Sequence, residues 1–247
     1  MFGSNIITFT AQEDYCSLKE DYPTPALLNV PDWFKKLTNV HPEVTAKGCM
    51  PFLDAMTAGY ILKIPIDIKI VHNVLNKETN KPDSFFSVPE IPNVGDFKIN
   101  INTNNYSHHP IKQLAGSPLI EKNKGLSFFK ILNPWTITTP PGYSCLFVNL
   151  LNNYDDRFEI ISGIVDTDVY KQEINFPVVF NGDKYPTLDT VLKKGTPYVQ
   201  VIPFKREKWK MKIEPRTSKS IYRNYIQHKL EMVDRYRKRL WYKKLWK

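Results

Sequence analysis

Trp135-Thr-Ile-Thr-Thr139, Pro140-Pro-Gly-Tyr143 and Ser144-Cys-Leu-Phe-Val148 follow one another without a gap. β-Branched and aromatic side chains fill both flanks, which suits a pleated, half-buried surface. Between the flanks stand two prolines, which cannot donate to a ladder, and a glycine, which tolerates tight-turn geometry. The stretch reads as strand, proline turn, strand: a proline-glycine hairpin.

Strand signals continue on both sides of it. Upstream, Gly59-Tyr60 opens Ile61-Leu-Lys-Ile-Pro-Ile-Asp-Ile-Lys-Ile-Val71, where Ile64, Ile66, Ile68 and Ile70 alternate with Pro65, Asp67 and Lys69. That is the period of a half-buried strand, and Pro65 demands an edge position or a break. Phe97–Asn102 alternates in the same way, and Leu126–Leu132 forms a further short strand. Downstream follow Phe158–Ile161, Glu173–Phe180 and, after a Lys194-Gly195 turn, Tyr198–Ile202. Asn76–Asp83 is polar and turn-rich, and Asn102–Ser117 reads as a loop holding His108-His109. Near the N-terminus, Pro31 sits at the start of a short helix carrying Trp33 and Phe34, and Phe52–Met56 makes another helical turn. The predicted class is mainly β (α+β): a sandwich or small barrel-like sheet with short N-terminal helical turns.

The pattern changes after residue 215. From Thr217 to Trp246 glycine and proline vanish, while Ile221, Tyr225, Met232, Tyr236 and Leu240 recur at helical offsets with one seven-residue gap. Ile226, Leu230, Val233, Trp241 and Leu245 widen the stripe, so one long amphipathic helix is predicted, capped by Thr217 or Ser218. The chain thus divides into a β-rich domain, 1–215, and a helical tail, 216–247. Charge divides it at the same place. Residues 1–215 carry 23 Lys and Arg against 23 Asp and Glu, and residues 216–247 carry 11 against 2, which accounts for the whole net charge of +9. A neutral body with a cationic tail differs from a generally basic protein.

Of 247 residues, 42% are hydrophobic and 13% aromatic, enough to build a core without disulfide or metal. Cys16, Cys49 and Cys145 are odd in number and form no Cys-x-x-Cys pair, so reduced thiols in a reducing compartment are expected. The N-terminus has no secretory pattern, and no apolar run is long enough to cross a bilayer. A cytoplasmic protein is expected, in a bacterial host or associated with a virion.

Several runs carry a resemblance. Pro31-Asp-Trp-Phe-Lys-Lys36, Cys49–Tyr60, Asn133–Phe147, Ser162-Gly-Ile-Val-Asp-Thr-Asp168 and Lys194–Glu207 resemble an uncharacterised family of tailed bacteriophages and some bacteria, which implies a phage-type origin. Residues 131–204 are similar, more distantly, to the β-clip core of trimeric dUTP pyrophosphatases and dCTP deaminases, with a β-clip-like core over about 126–207. That similarity implies a water-activating role for Asp166 and deoxyribose packing for Tyr170, one residue later than the usual pattern. Gly195 and Gln200 match a motif that supplies strand geometry, beside the nucleotide. The sequence also departs from those enzymes. Val148-Asn-Leu-Leu-Asn-Asn153 replaces the phosphate-binding Arg-Ser motif, and the Gly-rich C-terminal flap with its Arg and Phe is absent. A triphosphate needs several cationic or backbone donors, and Asp166 alone would repel it.

Read from the residues themselves, Asp166 and Asp168 flank Thr167 at strand spacing, so both carboxylates should share a face and hold Mg²⁺ or activate water; the alternative is a turn in which they accept backbone hydrogen bonds. His108-His109, with His72 and Asp96, lack a third ligand at helical or hairpin spacing, so no metal site is expected. Cys145 reads as a small buried residue. In the tail, Arg235, Arg237, Lys238, Arg239, Lys243 and Lys244 interleave with Tyr236, Trp241, Tyr242 and Trp246. Such a segment binds nucleic-acid phosphates, an anionic membrane surface, an acidic partner or a neighbouring subunit, or it packs on its own domain. The expectation is a non-enzymatic binding or assembly protein, homo-oligomeric or part of a larger assembly. The alternative is a nucleotide-directed hydrolase or deaminase using Asp166, with Mg²⁺ as the only cofactor implied.

Overall fold

In a computed structural model, which describes residues 5–16, 19–40, 45–87, 108–109, 111–230 and 236–247, the chain is mainly β, built as small antiparallel sheets. The strands are β1 (Thr8–Thr10), β2 (Thr24–Pro25), β3 (Tyr60–Lys63), β4 (Ile68–Asn73), β5 (Asp83–Ser87), β6 (His108–His109) and β7 (Phe128–Ile131). They continue as β8 (Thr136–Thr138), β9 (Tyr143–Val148), β10 (Phe158–Ile160), β11 (Gly163–Val165), β12 (Phe176–Phe180), β13 (Thr187–Leu192) and β14 (Pro197–Lys205). A five-stranded sheet runs β11-β9-β14-β3-β2 and a four-stranded sheet β10-β12-β7-β6. A three-stranded sheet runs β13-β4-β5, and β1 pairs with β8.

The aromatic residues join the sheets. Phe86 of β5, Phe129 of β7 and Phe180 of β12 stack with centroids 4.3 to 5.6 Å apart, closing the three-stranded sheet onto the four-stranded one. Phe176 of β12 touches Phe147 of β9 at 5.5 Å and Tyr198 of β14 at 5.8 Å, which ties in the five-stranded sheet. Buried side chains from all of these strands form one continuous cluster. Such rings contribute roughly 0.5–1.5 kcal/mol per pair beyond the area they bury.

Pro65 breaks the long isoleucine strand rather than marking an edge. β3 enters the five-stranded sheet and β4 the three-stranded one, so a single run of sequence serves both layers. The predicted hairpin is corrected. β8 and β9 are both present, but β8 pairs with β1 while β9 lies between β11 and β14. The Pro140–Tyr143 turn is a corner between sheets, closed by the Tyr143 amide donating to the Pro140 carbonyl at 3.2 Å. Two prolines stiffen a corner as well as they do a hairpin loop, and local chemistry cannot tell them apart.

Short helices α1 (Glu13–Cys16), α2 (Asp32–Lys36), α3 (Met50–Thr57) and α4 (Pro118–Asn123) decorate the sheets. Pro31 caps α2, whose Phe34 is buried and stacks on Phe52 of α3 at 5.9 Å. The long tail helix is corrected too. α5 covers Ser218–Leu230, a short π-helical segment covers Tyr236–Leu240, and Trp241–Lys247 is not helical. Ile221, Tyr225 and Leu240, expected on a packed stripe, are exposed. The predicted strand Phe97–Asn102, with Asp96, Met232, Val233 and Arg235, lies outside the described residues.

Candidate functional site

β11 pairs with β9 and ends at Val165, where the Asp166 carbonyl accepts the amides of Val169 (3.1 Å) and Tyr170 (2.9 Å). Asp166 and Asp168 therefore lie in a turn and not along one strand face. Thr167, fully buried between them, fastens that turn to the corner. Its hydroxyl lies 2.7 Å from the Thr139 hydroxyl and donates to Cys145 Sγ at 3.4 Å, and its carbonyl accepts the Thr139 amide. Burial pushes the Cys145 thiol up to about 11, against the opposing effect of the Thr167 hydroxyl, which keeps it a thiol at neutral pH.

The two carboxylates nevertheless meet, because Arg206 at the end of β14 reaches both. Its Nη1 and Nη2 fork onto Asp168 at 2.9 and 2.5 Å, and Nη1 lies 3.2 Å from Asp166 Oδ1. Nη1 also donates to the Tyr143 carbonyl and to Ser144 Oγ. Ser144 Oγ donates to Asp166 Oδ1 at 2.6 Å, and the Gly142 amide donates to Asp168 Oδ2 at 2.8 Å. Gly142 holds φ at +83°, a left-handed value that brings its amide onto the carboxylate without a Cβ penalty. The Arg206 fork, then the Gly142 amide, holds Asp168 down at about 2, so it is ionised at any physiological pH. The Asp168 side chain is only 7% exposed, against 58% for Asp166.

Chemically this is a clasp with a net charge of −1. Its guanidinium is spent on its own carboxylates, and the Lys171 ammonium beside the turn donates to the Asp168 carbonyl at 2.8 Å. Mg²⁺ does not fit here, since Arg206 stands between the two acids that would hold it. Among the described residues no group of three His, Cys, Asp or Glu is arranged to bind a metal ion.

Tyr170 is partly exposed beside the turn. Gln200 is buried in β14 with its amide fully engaged. Nε2 donates to the Ala55 and Ala58 carbonyls at 2.8 and 2.7 Å, and Oε1 accepts the Leu151 amide at 2.9 Å. It fastens the end of α3 and the loop after β9 to the sheet.

The tail returns to the body. Trp241 Nε1 and Lys244 Nζ both donate to Asp54 Oδ2 of α3, at 2.9 and 2.6 Å, and Lys244 lies over the Trp241 ring. The Trp246 ring meets the Tyr60 ring edge-on at 6.3 Å, and the Tyr60 hydroxyl donates to the Lys247 carbonyl at 3.1 Å. Trp241, Lys244 and Trp246 thus anchor the C-terminus on the body, while Arg237, Lys238, Arg239 and Lys243 lie at the exposed surface. His108 and His109 form β6, pairing with β7, and Asn102–Ser117 is thereby not wholly a loop.

Sequence reasoning missed Arg206 and Ser144. Arg206 sat unremarked in the run Phe204-Lys-Arg-Glu207, and only the pairing of β14 with β9 carries it to the corner. Compared with known proteins, the chain matches no family model and no curated protein.

Proposed function

We propose that this chain is a non-enzymatic binding or assembly protein, of phage type, on a β-clip-like scaffold. The observation that carries this reading is the consumption of Asp166 and Asp168 by Arg206, Ser144 and the Gly142 amide. A catalytic carboxylate needs a substrate position beside it and donors for developing charge. Here the guanidinium at the site is already paired with its own carboxylates, and the neighbouring Lys171 ammonium donates to the Asp168 carbonyl at 2.8 Å. The scaffold reading is supported by β9, β11 and β14, which carry the resembling motifs and are neighbours in one sheet. The cationic tail supports the binding role. Its C-terminal end is held to the body by Trp241 and Lys244, and Lys219, Tyr222 and Arg223 ahead of that anchor are exposed. In a bacterial cytoplasm or a virion, nucleic acid is the polyanion such a surface meets.

The test is incubation with each deoxynucleoside triphosphate and Mg²⁺, scored for pyrophosphate and for ammonia. No turnover is expected from the wild type. Turnover lost in Asp166→Asn would establish the hydrolase alternative and end this reading.

A further inference from the structure

The stretch that joins β14 to α5 is an extended arm. Trp209, Met211 and Ile213 alternate along it with Lys208, Lys210 and Lys212, an order that, in a strand, puts three large apolar side chains on one face and three ammonium groups on the other. The apolar three are 85%, 89% and 84% exposed. From Glu207 to Arg216 no backbone group bonds to another described residue. This is the pattern of a strand with no sheet, and an isolated strand with an apolar row is not stable by itself in water.

The body offers a matching edge. β11 pairs with β9 on one side, and among the described residues no strand lies on the other. Ile164, at its centre, is 63% exposed, and Val169 and Tyr170 are exposed just beyond it. Arm root and edge lie at the same end of the sheet, because Arg206 is bonded to Asp166 and Asp168, which directly follow β11. The order β11-β9-β14 separates them by two strand spacings, about 10 Å, while the arm from Arg206 to Ile213 reaches about 23 Å. β14 is antiparallel to β9, and β9 to β11, so β14 runs parallel to β11. An arm that continues β14 without a turn therefore leads away from its own β11.

We propose that the arm of each molecule adds as a strand to the β11 edge of a second copy of this chain, in a reciprocal twofold exchange. Each copy gives one arm and receives one, a self-complementary interface. Charge agrees with it. Residues 1–204 carry 18 Lys and Arg against 21 Asp and Glu, and the arm, residues 207–216, carries 4 against 2, so a cationic arm meets a slightly acidic body. Asp166, exposed, directly follows the receiving edge. The inference deepens the assembly reading and rests on it.

Light scattering coupled to gel filtration of the full chain tests it, with Met211→Asp and Ile164→Asp as variants. Both positions are exposed in the single chain, so the fold should survive, which far-UV circular dichroism checks. The expected mass is twice 28.8 kDa for the wild type and 28.8 kDa for either variant at the same concentration. With Cys49→Ser as background, Met211→Cys combined with Ile164→Cys should cross-link into a covalent dimer under mild oxidation, and neither single change should. A monomeric wild type overturns the proposal, as does an oligomer that both aspartate variants leave intact. So does a monomer whose arm lysines bind an oligonucleotide. Nucleotide turnover would defeat the assembly reading without altering the mass, whereas a monomer without turnover defeats the exchange alone.

Discussion

At Arg206 one guanidinium serves two carboxylates, a serine hydroxyl and a carbonyl oxygen. The bidentate fork onto Asp168 has a geometry that an ammonium group cannot reproduce. Arg206→Ala should lower the melting temperature clearly and Arg206→Lys by less, both measured by calorimetry. The clasp also has a pH signature. Asp168 is held at about 2, below its ordinary value, so its contribution is complete above about pH 4 and disappears as pH falls towards 2. Arg206→Ala should flatten that part of the acid-unfolding curve. His72 acts in a higher window. Burial lowers its pKa despite the Tyr185 carbonyl 2.7 Å from Nε2, and its buried Nδ1 has no partner among the described residues. The unfolded chain therefore takes up this proton first, and stability should decline as pH drops below about 6.5. His72→Gln should remove that component from denaturant titrations across the range. Gln200→Leu strands three backbone groups and should cost about 3 kcal/mol in the same assay.

Elements show how far local sequence carries. The isoleucine alternation and Pro65 located β3 and β4, because period and proline act within a few residues. Gly59 is likewise a local necessity with a long-range reason. Its φ is +69°, and an added Cβ would lie 1.9 Å from the Val201 carbonyl oxygen of β14. Gly59→Ala should destabilise by more than about 3 kcal/mol, seen as loss of soluble protein or of the cooperative transition. The corner at Pro140–Tyr143 was not legible as a corner, since which strand accepts β8 is settled by β1, more than a hundred residues away in the chain. The tail misled for a related reason. Its apolar residues have helical spacing, but Trp241, Lys244 and Trp246 gain more from Asp54 and Tyr60 than from another helical turn. Asp54→Asn should loosen this strap and speed tryptic cleavage beyond Arg237 relative to the wild type.

Taken whole, the molecule separates charge: a neutral body, residues 1–215, and a cationic tail, residues 216–247, whose C-terminal end is held to that body. That division was visible in composition alone. What composition could not show was that Arg206, ahead of the tail, closes the carboxylate pair, because the contact exists only once β9, β11 and β14 are side by side. If the exposed cations engage a polyanion, affinity for an oligonucleotide should fall steeply as salt rises, by orders of magnitude for several phosphate contacts. The central claim is that Asp166 and Asp168 are structural, and thermal unfolding of Asp166→Asn and Asp168→Asn with and without each deoxynucleoside triphosphate and Mg²⁺ tests it most directly. Catalytic carboxylates are commonly held at a cost in stability, whereas clasp members contribute to it. Asp168→Asn should melt below the wild type, and no nucleotide should shift any of the proteins. Asparagine variants as stable as the wild type or more so, together with a nucleotide that raises the wild-type melting temperature, would contradict it.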